Sequence, residues 1–195
     1  MIIRNIWAIG RNYADHAKEL GNEVPKEPLI FLKAGSCAVF GEQIELPAWS
    51  LEVHHEIEMA LQFGPNLKVT RAALALDLTE RHFQNLLKAK GSPWTLAKSF
   101  SRSCPLSDFF TVDSLSELSS LDISLKVNGE LRQKGNTSRM IFTLEQQIAY
   151  VTEHFPVVEG DLLLTGTPAG VGKIIRGDVL EGALGAFSKC LWNFS

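Results

Sequence analysis

Glu56-Ile57-Glu58 and the apolar run Ala72-Ala73-Leu74-Ala75-Leu76, which ends in Asp77, constrain this chain more than any other feature. Side chains alternate along an extended strand, so Glu56 and Glu58 are predicted to share one face of a strand running from Val53 to Phe63. Asp77 closes a segment apolar enough to be buried on both faces. Three carboxylates with no evident neutralising partner in the sequence call for a cation. All-oxygen ligation favours a hard divalent ion, Mg²⁺ or Mn²⁺ ahead of Zn²⁺, with Ca²⁺ as a substitute. Such a site leaves positions open for water and a chelating substrate, which points to a metal enzyme.

Composition excludes several alternatives. At 195 residues, 45% hydrophobic and 21% charged, the chain can bury a sizeable core, and one catalytic domain over 1–195 is expected. A net charge of −3 and a pI near 6.0 give no footprint for nucleic acid, and no basic run suggests a membrane surface. Met1-Ile2-Ile3-Arg4-Asn5 lacks a secretory pattern and no apolar run reaches bilayer-spanning length, so a soluble, cytoplasmic protein is expected. Cys37, Cys104 and Cys190 are odd in number and contain no Cys-x-x-Cys pair, which argues for reduced thiols rather than disulfides or a thiolate zinc site.

Short strands dominate the pattern. Strands are predicted over 2–9, 29–33, 53–63 and 121–127, the last followed by an Asn128-Gly129 hairpin turn, with several more between Asp161 and Trp192. Helices are expected over 12–20, stopped by Gly21; from a Thr79 cap to about Lys90, stopped by Gly91; and from Leu144 to about His154. Without regular strand-helix alternation or repeats, a mixed-sheet α+β fold is preferred to a doubly wound one.

Arg81, Gln84 and Lys88 fall on one helical face just beyond Asp77, where an anionic substrate could be received, although Lys88 reads as an ordinary solvated position. Lys98 lies in mainly apolar company, Trp94-Thr95-Leu96-Ala97-Lys98-Ser99-Phe100, and must reach solvent or pair with buried negative charge. His54 and His55 do not complete a His-Glu-x-x-His zinc motif because position 59 is Met. Thr165 to Lys173 fails as a phosphate loop because five residues, not four, separate Gly166 from Gly172.

His54-His55-Glu56-Ile57-Glu58, Ala75-Leu76-Asp77-Leu78-Thr79, Pro93 to Phe100 and Thr165-Gly166-Thr167-Pro168-Ala169-Gly170-Val171-Gly172 together closely resemble the fumarylacetoacetate hydrolase family. The likeness begins at Gly10-Arg11-Asn12-Tyr13, extends almost to the C-terminus, and is nearest to the small acylpyruvase and oxaloacetate decarboxylase-like branch. The resemblance implies a mixed β-sandwich roll with few short helices, usually a homodimer, holding Mg²⁺ or Mn²⁺ through Glu56, Glu58 and Asp77 with Lys98 alongside. It further implies that the first 48 residues include a lid-like helix whose His16 activates water with Glu19 behind it, and that Lys33, Arg81, Gln84 and Thr167 contact substrate. The segment between Phe63 and Ala72 is about ten residues shorter than the branch implies, in a place where a helix is expected.

The expected activity is metal-dependent hydrolysis of a carbon-carbon bond in a small acylpyruvate. The alternatives are decarboxylation, isomerisation or tautomerisation of oxaloacetate or a related 2-oxo acid and, from another class, an idle metal- or ligand-binding homologue. Removing Asp77 is expected to relieve repulsion among the carboxylates and leave the metal-free fold largely intact.

Overall fold

The chain opens with β1 (Asn5–Gly10), the short helix α1 (Ala14–Glu19) and β2 (Leu29–Ala34), which returns antiparallel along β1. Strands β3 (Ala38–Phe40), β4 (Gln43–Ile44) and β5 (Val53–His55) lead to the hairpin of β6 (Ile57–Phe63) and β7 (Val69–Leu76). Next come β8 (Thr79–Glu80), α2 (Arg81–Ala89), the one-turn α3 (Thr95–Lys98), β9 (Cys104–Leu106) and β10 (Phe110–Thr111). The remainder comprises β11 (Asp122–Val127), β12 (Glu130–Asn136), α4 (Leu144–His154), β13 (Leu162–Leu164), β14 (Gly172–Lys173), β15 (Val179–Leu184) and β16 (Ser188–Phe194). This computed structural model describes residues 2–19, 21 and 23–195.

The strands form an eight-stranded sheet in the order β2-β1-β13-β6-β7-β9-β3 with β10 added on β7, a five-stranded sheet β12-β11-β15-β16-β4, and a three-stranded sheet β14-β5-β8. Parallel β1–β13 and antiparallel β1–β2 pairs lie side by side, so the large sheet is mixed. Alternation divides its side chains between two cores. Trp7, Ile9, Ile57, Met59, Leu61, Leu74 and Leu76 pack with Ile123, Leu125, Leu180 and Trp192 of the five-stranded sheet. Ile6, Ala8, Ala60, Ala75, Leu162 and Leu164 fill a second cluster on the opposite face. Each fully buried Leu or Ile contributes roughly 1.5–3 kcal/mol, so the β6–β7 hairpin at the centre is a stable platform for the acidic residues at its end.

Several boundaries differ from expectation. The strand predicted over 53–63 is broken at Glu56: β5 pairs with β8 and β14, whereas β6 pairs with β7 and β13. The expected cap of α2 is not Thr79 but Glu80, whose carboxylate accepts the Phe83 N–H at 2.7 Å. Thr79 is occupied elsewhere, accepting from Lys98 Nζ at 2.6 Å. Helix α1 covers 14–19, and Leu20, at the end of its expected span, lies outside the described residues. Helix α3 had no cap or periodic signal strong enough to be read. The short segment after Phe63 has no room for a helix before β7. A single 3₁₀ turn, Pro65–Leu67, closes the hairpin, and it does so with Asn66 and Leu67 both at left-handed φ, 55° and 56°. Among the described residues no helix is long and apolar enough to cross a membrane.

Candidate active site

The β6–β7 register converts sequence separation into contact. Ile57 faces Leu76 and Glu58 faces Ala75, so Asp77, one residue beyond the paired strand, arrives beside Glu56. Carboxylate oxygens of Glu56, Glu58 and Asp77 lie within 4.8 Å of one another, and all three residues are buried. Glu56 reaches this position because the strand break turns it inward where two sheets exchange partners.

Two of the three carboxylates have cationic partners. Lys98 Nζ donates to Asp77 Oδ2 and, at 3.0 Å, to Glu56 Oε2; Arg81 Nη2 donates to Glu56 Oε1; Lys33 Nζ donates to Asp77 Oδ1 at 2.7 Å. Among the described residues, the absence of a neutralising partner inferred from sequence therefore holds for Glu58 alone, which there accepts only the Gly166 N–H, at 2.6 Å. Burial, with Asp77 and Glu56 adding to it, pushes the Glu58 carboxyl well above the usual carboxylate range. Burial also opposes ionisation of Glu56, but Lys98, Arg81 and His16 outweigh it and hold that carboxyl below its ordinary value. Burial disfavours the Lys98 ammonium, yet Asp77 and Glu56 raise its pKa above the ordinary lysine value, so it stays charged. An all-oxygen trio with one carboxylate left uncompensated fits a hard divalent cation.

The rim is built by turns. Gly166 has φ +95°, and a Cβ there would stand 2.6 Å from Asn12 Cβ, so only glycine lets the loop after β13 come close enough to offer its N–H to Glu58. Asn12 ties the two segments together, donating to the Thr165 carbonyl at 2.8 Å and accepting from Phe142 N–H at 2.9 Å. Helix α1 is held over the cleft, with His16 buried and its Nδ1 3.3 Å from Glu19 Oε2. Glu19 in turn accepts the Gly170 N–H at 3.0 and 3.2 Å to its two oxygens, which seats the helix on the Thr167-containing loop.

Eight of the ten side chains singled out from sequence line one cleft: His16, Glu56, Glu58, Asp77, Arg81, Gln84, Lys98 and Thr167. The cleft is small: its free space of about 390 Å³ includes the open solvent at its mouth. Glu19 stands behind His16. Lys33, expected to touch substrate, lies instead behind Asp77, fully buried and also donating to the Leu78 carbonyl at 3.2 Å, where it balances charge. Arg11 and Trp94, not singled out from sequence, also line the cleft, and so does Lys88, which was expected to be an ordinary solvated position but is half-buried there. Sequence reasoning also missed Gln133, whose side chain accepts the Ile57 N–H, bonds His55 Nδ1 at 2.9 Å, and donates to Thr167 Oγ1 and the Pro168 carbonyl, each at 2.8 Å. A glutamine inside a hairpin carries no local signal of such a role. Lys88 did carry one, its spacing of four from Gln84 on α2.

A family model described as Fumarylacetoacetate (FAA) hydrolase C-terminal matches residues 5–190. The chain belongs to the fumarylacetoacetate hydrolase family. Within that family it is 42% identical to oxaloacetate tautomerase FAHD1, mitochondrial, of Bos taurus, over 93% of this chain and 87% of the relative. It is also 42% identical to oxaloacetate decarboxylase, mitochondrial, of Dictyostelium discoideum, over 91% of this chain and 87% of the relative. Fumarylpyruvate hydrolase from Pseudomonas aeruginosa, solved in complex with Mn²⁺ and pyruvate, superposes with a TM-score of 0.92 at 29% identity, covering 98% of this chain and 89% of the other. The mixed β-fold with few short helices expected from the resemblance is the fold observed. The chain is an enzyme, as are the tautomerase, the decarboxylase and the hydrolase it is similar to.

The expectation of a cytoplasmic protein is corrected by these names, since both relatives are called mitochondrial. The physical reason for the error is that the expectation rested on an N-terminal secretory pattern and on the length of apolar runs. Neither separates one aqueous compartment from another.

Proposed function

We propose that this enzyme acts on oxaloacetate and closely related 2-oxo acids, as a tautomerase or decarboxylase, rather than chiefly as an acylpyruvate hydrolase. One observation carries the reading: Glu56, Glu58 and Asp77 share a small cleft with a charged, buried Lys98, in a chain 42% identical to proteins named for those two activities. Glu56, Glu58 and Asp77 would hold Mg²⁺ or Mn²⁺, and the ion when bound would polarise a 2-oxo acid head as a Lewis acid.

The protein's own groups supply the rest. Lys98 keeps its ammonium beside the carboxylates and stabilises negative charge growing on the 2-oxo oxygen. Arg81 and Gln84, joined at 2.6 Å, present one oriented pair of polar ends to the substrate carboxylate. In tautomerisation His16 takes the proton from C3 and returns it to oxygen, with Glu19 orienting the ring. Decarboxylation needs charge stabilisation at the same oxygen and no base, so one cleft serves both.

Hydrolysis of acylpyruvates stands as the second reading, favoured by the His16–Glu19 contact and by the fumarylpyruvate hydrolase neighbour. A homodimer of one catalytic unit, 1–195, belongs to the reading on family resemblance, with the mitochondrion as its compartment from the relatives' names. Sedimentation velocity and organelle fractionation test these two points.

The deciding experiment follows oxaloacetate enol absorbance, pyruvate formation and acylpyruvate cleavage by purified protein in Mg²⁺, Mn²⁺ or chelator. Metal-dependent oxaloacetate turnover exceeding acylpyruvate cleavage is expected. The reverse order would move the assignment to the hydrolase, and no metal-dependent turnover of either substrate would defeat both.

A further inference from the structure

Five cations approach or line the cleft, and they fall into two classes. Lys33, Lys98 and Arg81 are each bound to a carboxylate of the acidic trio. Arg11 and Lys88 also line the cleft, yet neither has a carboxylate partner among the described residues. Both are half-buried. Water can satisfy only part of the charge at such positions.

Two local features hold these side chains where they are. Arg11 follows β1 at a φ of 61°, a left-handed conformation that glycine adopts freely and arginine does not. The Lys88 ammonium stands 5.1 Å from the centroid of the Trp94 ring, on the same face of α2 as Arg81 and Gln84. Burial and the like charges of Arg81, Arg11 and Lys98 outweigh the attraction of Glu56 and bring the Lys88 pKa down to about 8. The crowding of positive charge on this wall is what an incoming anion would relieve.

We propose that Arg11 and Lys88 form a second anion-binding position that receives the distal carboxylate of a 2-oxo dicarboxylate, so that they determine the preference for diacid over monoacid substrates. This rests on the 2-oxo acid reading of the cleft and adds the part of the substrate that the acidic trio, Arg81 and Gln84 do not engage. A charge-assisted hydrogen bond to a carboxylate in such a site discriminates against an apolar isostere by about tenfold or more.

The test uses malate and 2-hydroxybutyrate, stable acids with the same 2-hydroxy acid head, in which a methyl group replaces the distal carboxylate. Calorimetric titration in saturating Mg²⁺ gives the ratio of their affinities for the wild type, Lys88→Met, Arg11→Asn and Lys88→Arg. The methionine keeps an apolar stem against Trp94, and asparagine tolerates left-handed φ. Expected are a wild-type ratio of about ten or more in favour of malate, a several-fold fall in Lys88→Met and Arg11→Asn, retention in Lys88→Arg, and weakening of the wild-type ratio with added salt. Equal affinities in the wild type, or a ratio that neither neutral variant changes, overturns the anion position and leaves the head-group reading standing. Failure of the wild type to bind either acid overturns both.

Discussion

The backbone N–H of Asp77 donates to the carbonyl oxygen of Glu56 at 2.9 Å, which locks together two carboxylates twenty-one positions apart. This bond extends the β6–β7 ladder by one step beyond the strand break. It makes the convergence of the acidic trio a consequence of strand register rather than of side-chain flexibility, so single substitutions at the site should act on charge and leave the scaffold in place.

Asp77 is the exception. It binds two buried lysines, and in Asp77→Ala the fully buried Lys33 keeps, among the described residues, the Leu78 carbonyl as its one hydrogen-bond partner. The expectation that this change would spare the metal-free fold is therefore reversed. Leaving a buried charge unpaired should cost about 3–5 kcal/mol, read as a lower urea midpoint in chelator. A midpoint equal to wild type would show that the lysine pairing contributes nothing net.

Glu58 should behave in the opposite way. Its folded-state pKa is raised above the ordinary 4.5, first by burial and then by Asp77 and Glu56. A raised carboxyl binds more protons folded than unfolded, so its contribution to stability is complete below about pH 4.5 and is lost as pH climbs toward the raised value. In chelator, Glu58→Gln should remove this decline and melt higher than wild type near neutral pH. Parallel Tm-against-pH profiles would refute the uncompensated carboxylate.

His16→Ala should cut proton-transfer reactions, tautomerisation or acylpyruvate hydrolysis, by about 10²–10⁴-fold, while decarboxylation suffers much less. The comparison is made on one preparation at saturating Mg²⁺. Equal losses in all reactions would make His16 a positioning residue, and an unchanged rate would remove it from the chemistry.

Gln133→Ala leaves the Ile57 N–H, His55 and the Thr167 hydroxyl without their shared buried partner. Each unsatisfied group costs about 1–3 kcal/mol, and the loop carrying Thr167 loses a tether to the strand carrying Glu58. Lower thermal stability together with a raised KM is expected; reduced stability with unaltered KM would confine Gln133 to the scaffold.

The Glu56-x-Glu58 pair, the apolar run ending in Asp77, the Lys98 segment, the Asn128-Gly129 turn and the span of α4 were legible because each is marked by residues close in sequence. Alternation, helical spacing and turn chemistry are local, and they act before any tertiary contact forms. What local pattern could not show was partnership. Glu56 lies at a strand break because two sheets exchange partners there. Lys33 balances Asp77 rather than meeting substrate because β2 closes the edge beside β1. Glu19 finds Gly170, Gln133 finds His55 and Thr167, and Arg11 and Lys88 come to line one cleft only when distant loops fold over one another. The sequence by itself determined which groups could carry charge and metal. Tertiary structure decided which charges are paired and which are left open, because Coulomb interactions and desolvation depend on distance in space and on burial, neither of which is written in chain order.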